Sequence, residues 1–165
     1  MTQVEDSPTD AEGSPKAERR SYFVDPTWHE RNGRRFAAFV ESRVCPSCRR
    51  KLEEGRETTQ GEPTGGSRSK GNRQRPPADP VATIQSCCVT ATDFITPRLP
   101  VLEAVFRLLL AKGSPMDAEQ IRESLSTWPG VEGAYSHLSA DMLEHLLESD
   151  SYYGFRPYPH EGEGQ

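Results

Sequence analysis

The chain has 165 residues, of which 33% are apolar, with 14 Pro, 13 Gly and a formal net charge of −5. That composition allows one ordinary domain or two small ones amid much loop, with cores too small to rely on burial alone. It excludes a membrane span, since no run approaches the roughly 18 apolar residues required; the longest, Phe36 to Val40, is flanked by Arg35 and Glu41.

In chain order, residues 1–20 carry almost no apolar side chains and read as a disordered tail. Their acidic opening lacks the basic and apolar regions of a signal peptide, which makes a reducing cytoplasm the expected location. Tyr22-Phe23-Val24 follows as a short strand or extended anchor. Asp25-Pro26 then supplies a helix cap with proline at the first helical position. The helix it starts carries Trp28 and stops near Asn32-Gly33. Phe36, Phe39 and Val40 recur at i, i+3 and i+4, which predicts one apolar helical face leading to Val44 and the first cysteines.

Residues 53–78 read as a disordered basic loop, with Gly61 to Ser67 unable to build a core and Arg68 to Pro77 rich in backbone breakers. Asp79-Pro80 repeats the cap-plus-proline signature. The segment Val81 to Cys88 suits a helix by its spacing and a strand by its Val and Thr content, and both remain open.

From residue 93 the pattern predicts three helices and a strand. The first starts between Pro97 and Pro100 and ends at Lys112-Gly113, burying Leu102, Val105, Phe106 and Leu109. The second starts at Asp117, capped with Gln120, and runs through Ile121 and Leu125 to Trp128-Pro129. The third starts at Ser139 and carries Met142, Leu143, Leu146 and Leu147, with Leu138 and Leu143 as a hydrophobic staple. Tyr152 to Arg156 would be the strand. The expected fold is therefore mainly α. It comprises a small zinc-stapled helical module over residues 21–92 and a three-helix, winged-helix-like domain over 93–160, followed by a tail at 161–165.

Chemistry concentrates in the four cysteines, Cys45, Cys48, Cys87 and Cys88. A CxxC pair answered by a second pair points to thiolates around one structural Zn²⁺. Cys45-Pro46-Ser47-Cys48 resembles the knuckle of zinc-ribbon proteins, a likeness confined to those residues, and proline pre-shapes the turn. Adjacent cysteines diverge on a regular backbone, so Cys87 and Cys88 reach one ion only where the chain bends. Otherwise one of them ligates and His29 takes the fourth position. A redox dithiol would need a βαβ setting that the pattern lacks. A deaminase-like catalytic zinc would need H-x-E upstream of P-C-x-x-C, whereas His29 and Glu30 are adjacent and Val44 precedes Cys45. With no GxSxG, Walker loop, GxGxxG or HExxH, no enzyme is expected.

Charge divides the chain. Arg19 to Arg75 holds 14 Lys and Arg against 7 Asp and Glu, a net +7; Asp93 to His160 holds 5 against 10, a net −5. Arg49, Arg50 and Lys51, with Arg68, Lys70, Arg73 and Arg75 in the loop, are the expected phosphate contacts. Tyr22, Phe23 and Trp28 could stack bases, but residues of this kind more commonly fill a small core. The third helix of the acidic half has no Lys or Arg and carries Asp141, Glu144 and Glu148, so it would be repelled by DNA and would dock protein. The resulting expectation is a non-enzymatic zinc-binding adaptor of an information-processing assembly. Its basic half would touch nucleic acid or an acidic protein and its acidic half would bind protein; the alternative is an interaction protein with no nucleic-acid role.

Overall fold

The computed structural model describes residues 19–57 and 79–159. The tails and most of the central loop, including Arg68, Lys70, Arg73 and Arg75, lie outside the described residues. About half of the described residues are helical, and a three-stranded antiparallel sheet completes a mainly α fold.

The first strand, β1, spans Ser21–Val24, and helix α1, Pro26–Arg31, starts as its cap predicts: the Asp25 carboxylate accepts the Thr27 N–H at 2.9 Å and Pro26 opens the helix. Helix α2, Phe36–Glu41, buries Val40 and half-buries Phe36 and Phe39. Helix α3, Pro46–Glu57, continues past Leu52 into the segment assigned above to loop. Charged straight-chain residues such as Glu53 and Glu54 favour helix without demanding burial, which made this stretch look like linker.

The ambiguous segment is helix α4, Pro80–Ser86, with the Asp79 carboxylate accepting the Val81 N–H at 3.0 Å. A short 3-10 turn, Cys88–Thr90, follows directly. Helix α5, Val101–Lys112, is the most buried element and ends at Gly113 in a left-handed conformation, φ 65°. A Cβ there would sit 2.6 Å from Gln85 Nε2, which donates to the Leu110 carbonyl at 3.1 Å, so the bare glycine lets α4 close on the end of α5.

Strand β2, Met116–Asp117, leads into α6, Ala118–Ser126, through a full capping box: Gln120 N–H donates to Asp117 at 2.8 Å and Asp117 N–H to Gln120 at 3.0 Å. The Ser139 hydroxyl caps α7, Ala140–Glu148, by accepting the Met142 N–H at 3.1 Å. The last strand, β3, is Phe155–Pro157, shorter and later than expected. The Asp150 carboxylate accepts the N–H groups of Tyr152, Tyr153, Gly154 and Phe155 at 2.8–3.1 Å, folding that stretch into a turn before pairing can start.

Sheet order is β2-β1-β3, with Tyr22 opposite Met116 on one side and Phe23 opposite Arg156 on the other. The central strand thus comes from the basic part of the chain and both outer strands from the acidic part. A single buried cluster includes Tyr22, Val40, Val44 and Ile84 together with Phe106, Ile121, Leu143 and Phe155. Described residues on both sides of residue 92 contribute to that cluster.

Candidate metal centre

Cys45 and Cys48 stand at the N-terminal end of α3, Cys45 just ahead of Pro46 and Cys48 within the first turn. A spacing of three residues there puts both sulfurs on one side of the helix end. Rather than a free-standing turn, the CxxC pair is therefore the start of a 12-residue helix.

The second pair arrives at the other end of a helix. Cys87 closes α4 with φ −128° and ψ −56°, and the 3-10 turn begins at Cys88. The backbone thus leaves helical geometry at Cys87, between α4 and the turn that carries Cys88. The sulfurs of Cys45, Cys48 and Cys87 lie within 4.8 Å of one another. Those of Cys48 and Cys87 are at disulfide distance, and their Cα atoms are 7.1 Å apart. Cys88 Sγ accepts the backbone N–H of Cys45 at 3.3 Å, so the fourth sulfur adjoins the same group. Cys48 and Cys88 are buried, Cys45 is at the edge of burial and Cys87 is half-buried. Burial pushes the Cys88 thiol above its ordinary range, the Cys45 N–H opposes that rise, and the nearby Cys45 thiol adds to it.

His29 is placed elsewhere. It is fully buried, its Nε2 lies 2.7 Å from the Tyr153 carbonyl, and its ring packs against Trp28, Phe36 and Phe39 with centroids 4.8–5.2 Å away. The metal-competent group of Cys45, Cys48 and Cys87 includes neither His29 nor Cys88. The assignment of His29 as an alternative ligand therefore gives way to a core role, for which an aromatic-rich helix pair was the only signal in the sequence.

Of the expected phosphate contacts on α3, Arg49, Arg50 and Lys51 are exposed. Arg49 also turns back on the centre's approach, donating from Nη2 to the Ser42 carbonyl at 2.8 Å. Sequence reasoning missed the support beneath. Arg43, two residues before Cys45, places Nε and Nη2 at 3.0 and 3.1 Å from the two Glu103 oxygens, and Arg107 Nε donates to the same carboxylate at 2.9 Å. Burial pushes the Glu103 carboxyl upward, but the two guanidiniums outweigh it and hold the group below the usual carboxylate range. Only the Glu103–Arg107 spacing of four residues hinted at this network; Arg43 is 60 residues from Glu103.

No helix among the described residues is long and apolar enough to cross a membrane. No protein-family model, curated protein or solved structure matches the chain.

Proposed function

We propose that this protein is a non-enzymatic zinc-binding adaptor of an information-processing assembly, with Zn²⁺ held by Cys45, Cys48, Cys87 and Cys88. The observation that carries this reading is the convergence of three sulfurs within 4.8 Å, with the Cys88 sulfur bonded to the backbone of Cys45. A tetrahedral ion with Zn–S bonds of about 2.3 Å holds its sulfurs roughly 3.8 Å apart, a spacing that Cys48 and Cys87, now at disulfide distance, would take up on binding it. A Cα separation of 7.1 Å between Cys48 and Cys87 exceeds the roughly 4.4–6.8 Å usual for a disulfide, and also favours a shared ion. Thiolates kept for metal suit a reducing cytoplasm.

Zinc in this position would be structural, because four sulfurs leave no coordination site for water or substrate. It would tie the start of α3 to the end of α4 across the central loop. The basic residues on α3 would then stand on a fixed platform and could meet a polyanion, either nucleic acid or an acidic protein. The unit α5-β2-α6-α7-β3 is winged-helix-like in order, with β1 taking the middle place in the sheet. Its α7 carries Asp141, Glu144 and Glu148 and no Lys or Arg, so the partner on that side is a protein with basic groups. A second reading, an interaction protein without a nucleic-acid role, is favoured by the use of Arg49 to bind its own backbone.

X-ray absorption at the zinc edge tests the central reading. Four sulfurs at about 2.3 Å are expected. Three sulfurs with one nitrogen or oxygen would remove Cys87 or Cys88 from the site, and absence of bound zinc would remove the site altogether.

A further inference from the structure

Outside the cysteine cluster, four side chains from four segments alternate ring and guanidinium. The Arg34 guanidinium stands 4.7 Å from the centre of the Tyr152 ring and 5.9 Å from that of Trp28. Arg156 also stands 5.7 Å from the centre of the Trp28 ring. Trp28 belongs to α1, Arg34 to the turn after it, Tyr152 to the Asp150 turn and Arg156 to β3.

The row is held from below. Arg34 Nη1 donates to the Tyr152 carbonyl at 2.6 Å, and His29 fastens α1 to the next carbonyl, that of Tyr153. Gly154, at φ 78°, lets the elements close, since a Cβ there would sit 2.9 Å from Trp28. The row is nonetheless open to solvent: Tyr152 is 48% exposed, Arg156 is exposed, and Trp28 and Arg34 are half-buried. Arg31 and Arg35 add exposed positive charge beside it. Tyr22, by contrast, is buried in the core. The structure therefore separates the aromatic residues that the sequence left together.

We propose that this row binds single-stranded nucleic acid. The proposal rests on the reading that the basic half contacts nucleic acid, and it moves the contact from α3 to the α1–β3 face. Bases stack on ring faces and on guanidinium planes, while the same cations meet phosphates. An unpaired strand offers both kinds of partner at every nucleotide, whereas a duplex hides its base faces. An acidic peptide would satisfy the arginines and leave the rings uncovered.

The test is fluorescence anisotropy of labelled oligo-uridine, oligo-thymidine and poly-glutamate with the full chain over a range of salt. Binding of the oligonucleotides at low salt is expected, with Tyr152→Ala weakening it roughly five-fold or more and Tyr152→Phe retaining it. Arg34→Gln/Arg156→Gln should lower the slope of log affinity against log salt by about 1.4, two phosphates' worth for a single strand. Melting temperatures matching wild type show that the variants fold. Equal oligonucleotide binding by these variants overturns the proposal. If binding is instead lost in Arg50→Gln/Lys51→Gln, the proposal falls and the reading of a nucleic-acid-binding basic half stands. Absence of oligonucleotide binding by the wild-type chain sinks both. Tighter binding of poly-glutamate that depends on Arg34 and Arg156 reassigns the face to an acidic peptide and also overturns the proposal.

Discussion

His29 shows how one side chain outside the cysteine cluster can set a pH response. Because its Nε2 faces the Tyr153 carbonyl, that nitrogen must carry the proton and donate. Nδ1 is then a bare lone pair, buried with no hydrogen-bond partner among the described residues. Burial pushes its pKa below the ordinary 6.5 and Arg34 and Arg43 push the same way, while the Tyr153 carbonyl and Asp150 oppose them. The unfolded chain therefore takes up a proton at a pH where the folded one still resists it. The stability contributed is complete above pH 6.5 and is lost as pH falls from there toward the lower folded-state value. Urea melts should show stability falling below pH 6.5. The His29→Gln variant should be about 1–3 kcal/mol less stable at pH 7, from the broken bond and packing, and should have a flatter profile between pH 6.5 and 5. An unchanged slope in that variant would assign the pH response to other groups.

Among the elements, the corner between α2 and α3 is where the centre meets the core. Arg43 stacks over Phe39 at 3.8 Å and shares Glu103 of α5 with Arg107, with both Arg43 and Glu103 side chains nearly buried. Removing one partner of a buried pair strands the other, so Arg43→Met should cost about 3 kcal/mol, near the low end for such losses because Arg107 remains on Glu103. In urea denaturation this would appear as a lower midpoint with an unchanged slope, and additive losses in Arg43→Met combined with Glu103→Gln would contradict the coupling. The helix starts at Asp25, Asp79, Asp117 and Ser139 were legible in the sequence because capping is chemistry between residues two or three apart. The Arg43–Glu103 tie was not, because it joins residues 60 apart. The extent of α3 was hidden for a different reason. Polar helix formers after Leu52 look like linker when, among the described side chains of α3, only Cys48 and Leu52 reach the core. Tyr152 and Tyr153 have strand propensity, and the Asp150 carboxylate overrides it by gathering their N–H groups.

For the whole molecule, the charge division visible in the sequence does not correspond to a division in space. β1 is the middle strand of a sheet whose edges come from the far end of the chain, and one core runs through both halves. Strand pairing between residues 94–96 apart on one side of β1 and 131–135 apart on the other leaves no local trace, so the register could be learned only from the fold. Of the cysteines singled out by number and spacing, Cys45, Cys48 and Cys87 do bring their sulfurs together. A metal at this point would join chain segments 39 residues apart and so couple binding to folding. The most direct test is zinc content per chain by native mass spectrometry under reducing conditions, for the wild type, Cys45→Ser/Cys48→Ser and Cys88→Ser. One zinc per wild-type chain is expected, lost from the double variant and weakened in Cys88→Ser. A zinc-free wild-type chain, or zinc unchanged in the double variant, would contradict the account.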